Sequence, residues 1–308
     1  MSSVVTVTIS PCIDKTITVA QIFPDRKLRC DQPFVQPGGG GINVATVLNR
    51  LGINATAVFI SGGYAGGFLR HLLDAQHIPY ISIEGKQETR ENIVIHELST
   101  GKQYRFTMPC GHTAEAEWRA CFEAVSLKTA PAYIVISGSM PDDLSPAFFE
   151  EFATFAKNKN AQLIIDTSGA ALKNALQFSP FLIKPNLGEL ANLTGVEISS
   201  AQQAELAAKA LIKNYECKNI VVSLADKGAM MVTKDATYFA KPPKVTVKST
   251  VGAGDSMVAG IIFAIHQGMS LSDSLRFGVA CGTAATLNPG TELCYKADAE
   301  ALFPKVIA

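Results

Sequence analysis

Asp255 ends the run Ser249-Thr250-Val251-Gly252-Ala253-Gly254-Asp255, which leads into an apolar, helix-favouring stretch over 257–266. Small residues just before a helix let the backbone approach a ligand, and a helix start presents N–H groups that have no intrahelical acceptor. Gly252, Ala253 and Gly254 therefore predict an anion hole, with a carboxylate at its rim able to accept a proton from a substrate hydroxyl. That combination suits phosphoryl transfer, where positioning, charge stabilisation and a proton acceptor supply most of the catalysis. A capping aspartate after a glycine turn would use the same residue types, so the run is weighed against the rest of the chain.

Two other stretches carry related chemistry. Gly38, Gly39, Gly40 and Gly41 precede a helix predicted over 42–51. Four glycines in a row weaken any helix or strand, so they serve either a tight turn or close approach of a ligand. They open a second anion-friendly helix start, and Asn43 in its first turn can hydrogen-bond sugar hydroxyls. Further on, Asn186 and Glu189 lie three apart at another helix start and share a face. Glu189 can organise water on Mg²⁺, which takes few protein ligands, although a glutamate there also suits the helix dipole. Lys184, just before Pro185, is within reach of a nucleotide phosphate.

Four cations are candidates for a phosphate clamp. Lys27 and Arg29 stand two apart in a stretch read as extended, which puts them on one face. Arg90 and Arg105 flank a predicted hairpin, and arginine favours bidentate phosphate contacts. Singly, such charges also protect sheet edges from aggregation.

These residues need a scaffold, and the apolar pattern predicts one. Short apolar runs at 4–9, 55–60, 132–137, 162–166, 181–184 and 219–224 alternate with helical patterns at 42–51, 67–75, 115–127, 146–157 and 201–213. Alternation of this kind implies βαβ units, with a mainly parallel central sheet covered by helices on both faces and ligands at the carboxyl ends of its strands. Two stretches, about 14–36 and 88–108, break the alternation and read as extended segments and a hairpin turning at Ser99-Thr100-Gly101-Lys102. A lone hairpin is marginal in water, so the two stretches are expected to pair into a small discontinuous sheet acting as a lid on a single domain. Its uncovered face predicts a homodimer through the lid.

With 27 basic and 27 acidic residues the chain has no net charge, which argues against nucleic acid as partner. The seven cysteines are scattered without CxxC spacing, indicating reduced thiols and a cytoplasmic location. No apolar run is long enough for a membrane, and no signal peptide is expected at the N-terminus. A nicotinamide dehydrogenase is excluded by the lack of a GxGxxG after the first strand.

Taken in order, Pro37–Ala45 (PGGGGINVA), Lys184–Glu189 (KPNLGE) and Gly252–Asp255 (GAGD) resemble the PfkB/ribokinase-like family of carbohydrate kinases over nearly the whole chain. The resemblance implies a ribokinase-like α/β fold, with ATP and Mg²⁺ as cofactors and a sugar phosphate as substrate. Asp255 becomes the general base. Asp14, Gly38, Gly39, Asn43 and Ser139 become sugar contacts, and Lys27, Arg29, Arg90 and Arg105 match relatives that phosphorylate sugar phosphates. Lys184, Asn186, Glu189, Ser223, Gly228 and Asn288 become nucleotide contacts, the family pattern having Gly where this chain has Ala225. K⁺ bound through carbonyls would involve Ser249, Val251, Ala285, Asn288 and Gly290. The implied reaction is phosphorylation of fructose 6-phosphate at its C1 hydroxyl, with tagatose 6-phosphate and fructose 1-phosphate as alternatives; Gly40 favours the first over the last. A non-catalytic sugar-phosphate sensor on the same fold is the alternative of another class, and it has no need of Asp255.

Overall fold

A computed structural model describes residues 4–127 and 131–308. Its first strands are β1 (Val4–Thr8), β2 (Cys12–Val19), β3 (Phe34–Gly38), β4 (Ala55–Ser61), β5 (Tyr80–Glu84), β6 (Arg90–Glu97) and β7 (Lys102–Phe106). They are followed by β8 (Tyr133–Ser137), β9 (Gln162–Asp166), β10 (Leu182–Ile183), β11 (Asn219–Ser223), β12 (Ala229–Thr233) and β13 (Thr237–Ala240). The helices are α1 (Gly40–Leu51), α2 (Gly63–Ala75), α3 (Glu115–Ser126), α4 (Ala147–Lys159) and α5 (Gly169–Leu176). After them come α6 (Leu187–Thr194), α7 (Ala201–Tyr215), α8 (Ala253–His266), α9 (Leu271–Thr286) and α10 (Lys296–Leu302).

Nine strands form one sheet in the order β13-β12-β11-β10-β9-β8-β1-β4-β5. From β5 to β11 every neighbouring pair is parallel, and only the β11–β12 and β12–β13 pairs are antiparallel. Parallel strands buried on both faces read as unbroken apolar runs, and β1 is buried at all five positions. Its pleat divides the core. Val5 and Val7 pack with Ile134, Ile136, Ile165 and Val222 beneath α3 to α7, whereas Val4, Val135, Ile164 and Val221 face α1, α2 and α8 to α10. The strand order reverses at β1, between β4 and β8, and a crevice opens at the carboxyl ends of such a switch point.

The second sheet has the order β3-β2-β6-β7, with β2 and β6 parallel and both outer pairs antiparallel. Its strands come from two separate parts of the chain. One face lies against the main body: Gln36 bonds Thr291, and Arg105 bonds Thr250. The other face carries Ile17, Ile93, Ile95, Tyr104 and Phe106, with Tyr104 and Phe106 exposed.

Some boundaries differ from the sequence reading. Helix α8 begins at Ala253 rather than 257, and α1 at Gly40 rather than 42. Glycine's poor helix propensity pushed the expected starts inward. Here Gly252 takes the left-handed region (φ 74) and Gly39 a φ of 121, so each turns the chain straight into its helix. Strand β10 keeps only two residues of the expected 181–184.

Candidate active site

The carboxyl ends of β8 to β11 and the start of α8 enclose a cleft of about 280 Å³, lined by Gly138, Ser139, Asp166, Lys184, Asn186, Glu189, Ser223 and Asp255 among others. Neither α1 nor α8 has a side-chain cap at its N-terminus. The first-turn N–H groups of both are thus without intrahelical acceptors and free to meet an anion. On α8, Gly252 is the cap residue and Ala253, Gly254 and Asp255 form the first turn.

The two helix starts meet at Asp255. Asn43 Nδ2, on α1, donates to Asp255 Oδ2 at 2.7 Å. Burial pushes the Asp255 carboxyl from 3.8 up to about 6, aided by the nearby Asp166 charge and opposed by the Asn43 hydrogen bond and Lys184. A carboxylate tuned towards neutral pH is suited to general-base work. Lys184 is 3.1 Å from Asp166 Oδ1. Burial works against its ammonium, yet Asp166, with help from Asp255 and Glu189, outweighs this and holds the pKa above the ordinary lysine value.

Asn186 and Glu189 form a capping box: Asn186 Oδ1 accepts the Glu189 N–H at 2.8 Å, and Glu189 Oε2 accepts the Asn186 N–H at 2.9 Å. One Glu189 oxygen is therefore committed to the helix, and Oε1 remains for the cleft. In the loop after β11, Ala225 sits at φ 55 where the family pattern has glycine, a left-handed state that disfavours a Cβ. Gly228 (φ 98) closes that loop, its carbonyl accepting the Leu224 N–H at 2.8 Å.

On the small sheet, Asp14 is buried, and its Oδ1 accepts hydrogen bonds from Asn92 Nδ2 at 3.0 Å and Cys12 Sγ at 3.4 Å. A Cβ at Gly38 would lie 2.5 Å from Asp14 Oδ2, so the glycine leaves that oxygen open. Arg90 spans from Met108 O at 2.9 Å to Ser10 O at 3.2 Å. Arg105 lies opposite Val94, four residues along β6 from Arg90, about 13 Å at the usual strand rise. Lys27 and Arg29 are exposed in a connection that is not a strand, so the alternation that put them on one face does not operate, and they form no ion pair among the described residues. Within one chain the four cations are not drawn into a single cluster.

Asn288 is not a lining residue of the cleft; its Nδ2 braces Leu293 O at 3.1 Å. The segments holding Ser249, Val251, Ala285 and Gly290 come together, since Lys248 N–H donates to Thr286 O at 2.8 Å. Glu292 accepts from Arg50 at 2.8 Å and from Gln36 at 2.9 Å. The sequence reading missed Asp166. Its place at the carboxyl end of a predicted strand in an α/β sheet was the available signal. Among the described residues no helix is long and apolar enough to cross a membrane.

Two uncapped helix starts meet at one carboxyl, an arrangement that suits phosphoryl transfer, and the two-sheet α/β fold beneath them is ribokinase-like. The family described as pfkB family carbohydrate kinase matches residues 1–298, and the chain belongs to it: an ATP-dependent phosphotransferase with an alcohol acceptor. ATP-dependent 6-phosphofructokinase isozyme 2 of Escherichia coli K12 is 39% identical over 304 residues, 98% of each chain. A 1-phosphofructokinase of Bacillus subtilis is 32% identical over 289 residues, covering 93% of this chain and 94% of that one. The crystal structure of E. coli phosphofructokinase-2 in complex with potassium superposes with a TM-score of 0.92 at 38% identity, covering 99% of both.

Proposed function

We propose that the chain transfers the γ-phosphoryl group of ATP to the C1 hydroxyl of fructose 6-phosphate, giving fructose 1,6-bisphosphate, with Asp255 as general base. The observation that carries this is the Asp255 carboxyl, held by Asn43 at the mouth of α8 with its pKa pushed up to about 6. The resemblance to 6-phosphofructokinase isozyme 2 over 98% of the chain supports the choice of sugar.

The sugar hydroxyls dock on Asp14, Gly39, Asn43 and Ser139, and Arg90 meets the 6-phosphate, with Lys27, Arg29 and Arg105 completing the positive surface. Asp255 takes the C1 hydroxyl proton as the oxygen attacks phosphorus. The first-turn N–H groups of α8 and the Lys184 ammonium meet the charge on the transferred group. Lys184, Asn186, Ser223 and Gly228 line the path of the nucleotide, with Asn288 bracing the loop beyond. The small sheet closes over the cleft and keeps out water, whose attack would waste ATP.

Mg²⁺ fits the cleft because Asp166 and the free Glu189 oxygen face it with only Lys184 opposite. Glu189 and Asp166 would hold the ion, which would supply neutralisation of phosphate charge. K⁺ fits between the 249–251 and 285–290 segments, where Ser249, Val251, Ala285, Asn288 and Gly290 offer carbonyls; the potassium complex of the E. coli enzyme supports this. The exposed apolar face of the small sheet supports a homodimer.

A second reading, fructose 1-phosphate as acceptor, draws on the B. subtilis relative. ADP release with MgATP and fructose 6-phosphate, tagatose 6-phosphate, fructose 1-phosphate, fructose or ribose separates the cases. Preference for fructose 6-phosphate upholds the proposal. Preference for another ketose phosphate keeps the mechanism and changes the substrate, and turnover confined to neutral sugars removes the phosphate site.

A further inference from the structure

Asn92 on β6 stands directly opposite Asp14 on β2. Its Nδ2 donates to Asp14 Oδ1 at 3.0 Å, while its Oδ1 accepts the Met108 N–H at 3.1 Å. A backbone N–H can only donate, so the amide has one satisfactory orientation, with its NH₂ on the carboxylate. Met108 is then used twice. Its carbonyl accepts Arg90 Nη1 at 2.9 Å, and the other end of the guanidinium holds Ser10 O at 3.2 Å. Cys12 Sγ also donates to Asp14 Oδ1. Oδ1 is thereby taken up by two donors, and Oδ2, beside Gly38, is the oxygen left for a ligand.

We infer that Asn92 is a positioning residue for sugar-phosphate binding: it presents Asp14 Oδ2 to the sugar and, through Met108, keeps Asp14 in register with Arg90. The inference rests on the reading of Asp14 and Arg90 as sugar-phosphate contacts. Its physical basis is the cost of a buried carboxylate that loses a donor: it turns towards another partner, and that spoils it as an acceptor for a hydroxyl. Because the two peptide groups of Met108 serve both side chains, the hydroxyl-binding and phosphate-binding groups shift together.

The test measures the dissociation constant for fructose 6-phosphate at pH 8 in the full-length protein, alongside KM for ATP. Asn92→Leu is expected to weaken sugar-phosphate binding about 10- to 100-fold, the range for leaving a buried charged group unpaired, with KM for ATP within about twofold. Asn92→Asp keeps an acceptor for Met108 but sets a second carboxylate against Asp14, so it is expected to weaken binding at least as much. The pair Asp14→Ala with Asn92→Asp should bind no worse than Asp14→Ala alone, because Asn92→Asp keeps the acceptor for Met108 and its effect runs through Asp14. Wild-type affinity in Asn92→Asp, with Asp14→Ala weakened, would show that Asn92 only braces Met108 and overturn the inference alone; so would a double variant carrying the sum of both losses. Wild-type affinity in Asp14→Ala would overturn the sugar-site reading, and the inference with it. Asn92→Asp nearly preserves shape, and a melting temperature close to wild type keeps its result separate from a folding defect.

Discussion

Asn43 and Asp255 are 212 positions apart in the chain, yet the Asn43 amide donates to the Asp255 carboxylate at 2.7 Å. The bond joins the first turns of α1 and α8, two helices whose glycine-rich starts have no side-chain cap. It fixes one oxygen of the proposed base and also lowers its pKa, opposing the effect of burial.

Removing that donor leaves burial less opposed. Asn43→Leu is expected to raise the Asp255 pKa above its value of about 6, so the acid limb of kcat/KM moves to higher pH. Rate profiles from pH 5 to 9 check this. A limb that stays in place would mean that another group sets the profile. The second pKa of the substrate phosphate also lies near 6, so the comparison is between variants and not with an absolute midpoint.

The same shift has a consequence for stability. A carboxyl raised from 3.8 to about 6 holds its proton more tightly in the folded state. Its ionisation therefore costs stability at pH 7 and above, and that cost disappears as pH falls from 6 to below 4. Asp255→Asn is expected to exceed wild type in stability at pH 8 by up to ~2–3 kcal/mol, less an allowance for solvent reaching the cleft, and so to melt at a higher temperature. The gap should close by pH 4. Melting curves across that range are the check, and a gap that widens on acidification would reverse the assigned sign.

Gly40 tests how tightly the first helix start is packed. A Cβ there would lie 2.6 Å from Gly138 N and 2.9 Å from Gly138 Cα, both backbone atoms that cannot swing aside. Gly40→Ala is expected to cost ~1–3 kcal/mol and to raise KM for the sugar phosphate. Gly67→Ala, on α2 with its nearest neighbour 3.8 Å away, should instead stabilise by ~0.5–1 kcal/mol. Equal effects in denaturant titrations would refute the close approach at Gly40.

The outer face of the small sheet leads to a prediction about assembly. Phe106 pairs with Ile93 and Tyr104 with Ile95, and Phe106 is 50% exposed. Light scattering should give twice the chain mass for the wild type and the single chain mass for Phe106→Glu. A monomeric wild type at working concentration would remove the lid dimer.

The parts of the site that were legible in the sequence are those encoded locally. The glycines before α1 and α8, the carboxylate at Asp255 and the Asn186–Glu189 spacing each announce a helix start, and βαβ alternation announces the sheet. What was hidden depends on register and packing. Asp166 reads as the last residue of a strand, and only the strand order brings it beside Lys184. Asn92 becomes meaningful once β2 and β6 pair in parallel and set it against Asp14. The placing of Lys27 and Arg29 on one face relied on strand alternation in a segment that has no strand. Ala225 departs from the family's glycine, yet its φ of 55 lies in the left-handed region that glycine favours.

The central claim is that Asp255 accepts the proton of the sugar hydroxyl. The most direct measurement is turnover of Asp255→Asn with MgATP and fructose 6-phosphate, paired with the dissociation constant for the sugar phosphate. The account predicts binding within a few-fold of wild type and turnover lower by roughly 10²- to 10⁴-fold, the usual contribution of a positioned base. Turnover near the wild-type level would take Asp255 out of the mechanism.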